Sequence, residues 1–254
     1  MEFYLGTHQP NWLTRTRVPL FVSFRRLHSY KHLPRSKSGW AMDSGGFSEI
    51  LTQGRWTITS RQYAEGVRRI AHEVGNMRWA TIQDWVCSPG ALRSSGLSLR
   101  MHQRKTVQSL ESLRTLAPEM AWLPVLQGWN VESYITHLKM YRDFGFALEK
   151  EPLVGVGSFA ARQRSKELNL ALSVLHHEGI RIHAFGLSSL GLMRVHRFIC
   201  SADSMVWSYV ARRRRLKHTK CQGTHSVCNN CLDFALAWRR ELLSQVTGRK
   251  EKQN

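Results

Sequence analysis

Short apolar runs rich in β-branched and aromatic residues recur along the chain, and each closes on a polar residue, a glycine or an aromatic. They lie at Glu2–Thr7, Leu20–Phe24, Gly39–Ser44, Trp79–Asp84, Trp122–Gly128, Leu153–Ser158, Ile180–Gly186 and Ala202–Trp207. Bounded runs of this length and composition read as strands. Between several of them the apolar positions fall at helical spacing. Tyr63, Val67, Ile70, Ala71 and Val74 form one set, and Val107, Leu110, Leu113 and Leu116 another. Leu168, Leu170, Leu172, Val174 and Leu175 form a third. Strands alternating with helices predict a parallel sheet. Eight such strands in a chain of 254 residues predict a closed TIM (β/α)8 barrel. No clear helix separates the first two strands, which makes them the weakest part of the pattern. A doubly wound open sheet is the alternative, weakened because no Gly-rich dinucleotide fingerprint opens a first βα unit.

In a barrel the residues at the carboxyl ends of the strands share one mouth, whatever their distance in sequence. Those ends supply Asp43, Asp84, Gln127, the Gly155/Gly157/Ser158 segment, Gly186 and Asp203. Any one strand-end Asp is as readily a helix N-cap, but three at three strand ends, in a chain with only 18 acids, point to a polar site. The stretch Asp43-Ser44-Gly45-Gly46-Phe47 is the most informative of them. Its acid can handle a proton, its glycines allow positive φ and close approach to a flat ligand, and its ring can stack. Alone, the same five residues would also suit an ordinary strand-to-helix turn with a polar cap.

Charge narrows the partner. Lys and Arg outnumber acids 37 to 18, a formal charge of +19, and so large an excess points to a polyanion, most commonly nucleic acid. The basic residues concentrate at Arg15–Lys37 and at Arg212–Lys220, with Arg212, Arg213, Arg214 and Arg215 following the last strand closely enough to overhang the mouth. A solvated basic face is the simpler account of either cluster taken alone. No run of eighteen apolar residues is present and the first residues lack a secretory signal pattern, so a cytoplasmic protein of a bacterial or phage-infected cell is expected. Gly248–Asn254 reads as a frayed tail.

Three of five cysteines, Cys221, Cys228 and Cys231, crowd a window that also holds His225. In a reducing compartment this spacing indicates a structural zinc ion rather than a disulfide. Three thiolates and an imidazole close a tetrahedral shell. His218 is an alternative to His225, which is preferred because it lies inside the loop. Cys87 and Cys200 read as buried, inert thiols. The expected layout is a barrel over residues 1–210, followed by a basic segment, the zinc motif and a terminal helix packed on the barrel over 211–254.

Together, D-S-G-G-F, Q-D-W-V-C-S-P at 83–89, L-Q-G at 126–128, V-G-V-G-S at 154–158, the isolated Asp203 and the terminal cysteines resemble the tRNA-guanine transglycosylase superfamily. The order matches along nearly the whole chain. The resemblance implies a TIM barrel with a structural zinc, exchanging guanine in a nucleic acid for a 7-deazaguanine through a glycosyl–aspartate intermediate. It implies that Asp203 is the nucleophile and Asp43 the general acid/base. By the same resemblance Phe47 stacks on the base, while Ser44, Asp84, Gln127 and the backbone near Gly155 and Gly157 meet it. A carboxylate nucleophile would split the exchange into two displacements, one proton-carrying carboxyl would serve both, and the base would leave its stack first.

The departures favour one branch. Ser201–Trp207 leads straight into Arg212–Arg215, the cysteine cluster is compact, and no RNA-binding domain follows it. With the opening Tyr4–Trp12, these features resemble the DNA 7-deazaguanine transglycosylases of the DpdA type, which insert a base such as 7-cyano-7-deazaguanine (preQ0) into DNA. Three other readings stay open at this level: a tRNA transglycosylase, a non-catalytic zinc-containing nucleic-acid-binding protein, and a glycosylase that releases guanine without replacing it. A homodimer also stays open. Retention of both Asp43 and Asp203 argues against a purely binding role.

Overall fold

The computed structural model of the chain describes residues 1–159, 165–218, 221 and 225–250. Nine parallel strands wind into a nearly closed barrel. They are β1 (Glu2–Thr7), β2 (Leu20–Ser23), β3 (Trp40–Asp43), β4 (Met77–Thr81), β5 (Trp122–Leu123), β6 (Val125–Leu126), β7 (Val154–Val156), β8 (Ile182–Ala184) and β9 (Ser201–Ser204). The barrel expected from the sequence is therefore present, with one difference in count. The run predicted as a single strand over Trp122–Gly128 is two short strands, β5 pairing with β4 and β6 with β7. Pro124 lies between them and has no N–H to give a ladder, though its carbonyl still accepts from Gly155 N–H at 2.8 Å. The seam of the barrel thus runs through one continuous piece of chain. On the opposite side β1 pairs in register with both β2 and β9.

Helices follow the strands and cover the outside. They are α1 (Phe24–Leu27), α2 (Gly46–Gln53), α3 (Ser60–Val74), α4 (Pro89–Ser95), α5 (Leu99–Leu116), α6 (Val131–Asp143), α7 (Lys166–His177), α8 (Ser189–Val195), α9 (Val206–Arg214) and α10 (Leu232–Lys250). Several start on a residue whose side chain accepts from an otherwise unpaired amide of the first turn: Thr59, Ser88, Ser98, Asn130, Ser165 and Ser188. The weak pattern between the first two strands has a cause. A short 3-10 helix, Pro10–Thr14, connects them and is too short to show a helical period. In α3 the buried face is Tyr63, Ala64, Val67, Ile70 and Val74, close to the sequence pattern. In α7 it is Leu168, Ala171, Leu172 and Leu175, while Leu170 is exposed. Leu170 therefore does not belong to the predicted apolar face.

Strand side chains alternate, and the alternation separates two cores. Outward residues such as Phe3, Leu5, Leu20, Val22, Trp40 and Met42 pack against the helices. Inward residues Tyr4, Phe21, Ala41, Trp79 and Leu123 form a distinct cluster that plugs the barrel. Gly155 takes part in this plug, because a Cβ there would meet Phe185 at 2.5 Å and Leu123 at 3.2 Å. Above the aromatic layer the same inward faces carry polar residues. Asp43 stands two positions beyond Ala41, and Asp203 two beyond Ser201.

The last predicted strand ends earlier than the sequence pattern does, and Trp207 belongs to α9. Its indole stacks on Trp12 at 5.4 Å between centroids and donates Nε1–H to the Gly6 carbonyl at 2.9 Å. Helix α10 packs on the same strand: Trp238 lies 6.1 Å from Phe3, and Arg239 donates to the Phe3 carbonyl at 3.1 Å. Gly248–Lys250, expected to fray, are helical, and residues 251–254 lie outside the described residues. No helix among the described residues is long and apolar enough to cross a membrane.

Trp207 generates a stability prediction. Trp207→Ala removes a buried indole, its stacking on Trp12 and a buried hydrogen bond, and should cost about 3–5 kcal/mol. Trp207→Phe keeps a ring and should cost less. Urea unfolding midpoints of the three proteins check this order.

Candidate active site

The mouth of the barrel collects the strand-end residues in one polar layer. Asp43 closes β3, opposite Ser23 of β2. Asp203 sits within β9, opposite Tyr4 of β1. Asp84 and Gln127 lie beyond the ends of β4 and β6 rather than inside the strands, as does Gly186 beyond β8.

Of the three acids at the mouth, Asp84 has the most side-chain donors. Its Oδ1 accepts from Ser44 Oγ at 2.8 Å and its Oδ2 from Gln127 Nε2 at 2.6 Å. Gln127 Oε1 in turn accepts from Ser158 Oγ at 2.5 Å, and that oxygen accepts from Cys87 N–H at 2.9 Å. Ser44, Asp84 and Gln127 are all buried. Burial raises the Asp84 carboxyl above its ordinary value, and the Ser44 and Gln127 donors pull it back. The glutamine backbone is held as firmly as its side chain. Its N–H points to His137 Nδ1 at 2.9 Å and its carbonyl accepts from Gln103 Nε2 at 2.8 Å. Burial pushes His137 down to about 3, so the imidazole is neutral and can accept.

Asp43 is different. It accepts one backbone N–H, from Gly45 at 3.0 Å, and its carboxyl is raised to about 7. Burial is the largest cause, followed by the nearby charges of Asp84 and Asp203, against which Gly45 N–H and the Ser23 hydroxyl act weakly. A carboxyl with this value exchanges a proton near neutrality. Asp203 is held at Oδ1 by Gly186 N–H at 2.9 Å.

The two glycines of D-S-G-G-F have separate reasons. Gly45 has φ +83°, which favours glycine. Gly46 opens α2, and a Cβ on it would meet the Asp84 carbonyl oxygen and Oδ1 at 2.8 Å. Within the chain itself, close approach at Gly46 is to Asp84. Gly157 has a similar role, since a Cβ there would meet the Gln127 amide at 2.7 Å. Gly155 packs lower, in the aromatic plug. Phe47 projects from the first turn of α2 and is 50 % exposed, a free ring at the rim. Ser158 adopts φ +67°, unusual for a residue with a side chain, and this conformation accompanies its bonds to Gln127 and Cys87.

The basic clusters meet. Arg212, Arg213 and Arg214 are exposed on the last turn of α9, where cations suit the helix dipole, and Arg215 follows at its left-handed cap. Arg212 and Arg26 both act on His8, whose pKa is lowered first by burial and then by these two charges. Arg25 reaches the site wall, within 3.4 Å of the buried Glu49. Thr219 and Lys220, the end of the second basic run, lie outside the described residues.

Cys221, His225, Cys228 and Cys231 offer ligand atoms that all lie within 4.8 Å of one another. Sulfurs of Cys221 and Cys231 are 3.2 Å apart, as are His225 Nε2 and Cys228 Sγ. The set can hold a metal ion, and three soft thiolates with one imidazole suit zinc chemistry. His225 rather than His218 belongs to it; His218 gives its backbone N–H to Cys228 Sγ at 3.1 Å. Ser208 Oγ donates to the Asn229 carbonyl at 2.6 Å, tying the cluster to α9. Of the remaining thiols, Cys87 is buried and raised by that burial, whereas Cys200 is only half-buried, short of the expectation for it.

Sequence reasoning missed Glu49 and His183, and marked Arg25 only as one member of the basic run Arg15–Lys37. No motif marks them, and each gains its place only through the fold. His183 alone carried a weak signal, an imidazole at an inward position of a strand.

A family described as DpdA: DeoxyPurine in DNA protein A matches residues 1–253 of the chain. No curated protein matches it.

The Asp43 environment predicts a pH-dependent stability difference. The folded carboxyl at about 7 lies above its unfolded value of about 3.9. The native state therefore holds the extra proton, and stability is lost as pH rises from about 4 through 7. Asp43→Asn removes this loss. Its unfolding midpoint should match the wild type near pH 4 and exceed it at pH 8, as measured by urea titration at both values.

Proposed function

We propose, because this chain belongs to the DpdA family, that it exchanges guanine in DNA for a 7-deazaguanine base such as preQ0 through an aspartyl–glycosyl intermediate. Family membership supports a DNA-modifying role. The observation that carries the finer reading is the convergence of Asp43 and Asp203 on one mouth, with Asp43 raised to about 7. A binding protein has no use for a carboxyl poised to trade a proton.

In the first displacement an Asp203 carboxylate oxygen bonds the anomeric carbon and the bond to guanine N9 breaks. Guanine leaves with the electron pair and takes the Asp43 proton, so Asp203 ends as an ester and Asp43 as a carboxylate. In the second, the incoming deazapurine gives its N9 proton to Asp43 and N9 bonds the same carbon. The ester breaks and Asp203 returns as a carboxylate. Two inversions retain the configuration. Asp84, fixed by Ser44 and Gln127, suits the donors on a guanine edge, and Phe47 offers a stacking face at the rim. The arginines at 212–215, with Arg25 and Arg26, suit the flanking phosphates.

Cys221, His225, Cys228 and Cys231 would hold a zinc ion that closes the segment between α9 and α10. Its role would be structural, since a four-ligand shell leaves no open position.

Labelled preQ0 or guanine offered with duplex DNA and with tRNA tests the reaction. Label should enter DNA, and Asp203→Asn should lower exchange at least ~10³-fold while leaving DNA binding intact. Entry into tRNA alone would favour the tRNA reading, and an active Asp203→Asn enzyme would turn attention to Asp84.

Metal analysis should find about one zinc per chain. Chelation, or Cys228→Ser, should lower the melting temperature by several degrees, because binding free energy of such a site is folding free energy. An unchanged melting temperature in metal-free protein would remove zinc from the account.

A further inference from the structure

His183 takes no part in the chemistry above, yet its position beside Asp203 is specific. It lies on β8 facing the barrel interior and is fully buried. Four rings surround it: Phe185 at 4.8 Å, Trp79 at 4.9 Å, Phe21 at 5.7 Å and Tyr4 at 5.9 Å between centroids. Among the described residues, two polar contacts are open to the imidazole. Nδ1 is 2.8 Å from Ser201 Oγ, and Nε2 is 3.4 Å from Asp203 Oδ1.

The first contact fixes the second. The Ser201 hydroxyl has no other hydrogen-bond partner among the described residues, and donation of its O–H to Nδ1 would satisfy both groups at once. Nε2 then carries the ring proton. That N–H has no aligned acceptor, although a buried donor without one is costly. Asp203 Oδ1, 3.4 Å away, is the acceptor within reach. Oδ1 already accepts from Gly186 N–H at 2.9 Å. Oδ2 has no partner among the described residues.

We propose that His183 is a positioning residue for Asp203, its Nε2–H joining Gly186 N–H on Oδ1 so that Oδ2 is the oxygen that bonds the anomeric carbon. This rests on the reading of Asp203 as nucleophile. Its consequence differs between the two displacements. When Oδ2 forms the ester, the carboxylate loses its negative charge and Oδ1 becomes a carbonyl oxygen. When the ester C–O bond breaks, the electron pair returns to the carboxylate, and two N–H groups at Oδ1 stabilise that departing charge. Ester breakdown therefore depends on His183 more than ester formation does.

The test follows the covalent adduct on denaturing gels, formed with guanine-containing DNA and then chased with preQ0. His183→Phe suits the aromatic collar but has no donor, while His183→Gln keeps an N–H near the Nε2 position. Adduct decay in His183→Phe should slow at least ~10-fold, formation should change less, and His183→Gln should recover much of the decay rate. Should His183→Phe fail to fold, Ser201→Ala carries the test. It frees the ring tautomer, and it too should slow decay more than formation. Decay at the wild-type rate in these variants, or equal slowing by Phe and Gln, overturns the role of His183. Absence of any adduct in the wild type overturns the Asp203 reading instead.

Discussion

Three carboxylates share one half-dry mouth, and the distribution of hydrogen-bond donors decides what each can do. Asp84 receives a hydroxyl and an amide, Asp203 a backbone N–H at one oxygen, and Asp43 little beyond Gly45 N–H. Desolvation and the neighbouring charges of Asp84 and Asp203 raise Asp43, which keeps a proton to about pH 7. Much of the surrounding architecture serves this inequality. Gly46 and Gly157 let backbone press against Asp84 and Gln127. Gln103, His137 and Ser158 then hold Gln127 from three directions. The rigid acid thus lies beside the labile one.

A second constraint lies beneath. The aromatic plug of Tyr4, Phe21, Trp79 and Phe185 gives the mouth a dry floor. A charge placed on it has no water below and must be met by protein donors from the side. The His183 imidazole lies in that floor, where an electrostatic contact with an acid is stronger than a similar contact at the surface.

The sequence made the barrel legible because short apolar runs and helical stripes alternate across most of the chain. Asp43, Asp84, Gln127 and Asp203 could be read as a group because strand ends in a barrel converge whatever their separation. Where legibility failed, the cause was local. Pro124 broke one apolar run into two strands without interrupting its hydrophobicity. Leu170 kept the apolar character of α7 while pointing outward, and Trp207 continued an apolar run after the chain had turned into a helix. The missing side chains of Gly155 and Gly46 also make room for Phe185 and Asp84, a packing demand invisible in the sequence. His183 and Glu49 stand in no motif, and only three-dimensional proximity gives them meaning.

Strand β1 depends on the far end of the chain for one whole edge. It pairs with β9, its Gly6 carbonyl takes the Trp207 indole, and its Phe3 carbonyl takes Arg239. During synthesis the first strand emerges with only β2 to pair on one edge, and its other edge has no partner until residues 201–204 have been made. An unpaired edge of this kind can recruit strands of neighbouring nascent chains. Closure of this barrel is a late event in the ribosome's timetable, and its earliest residues wait longest for their neighbours.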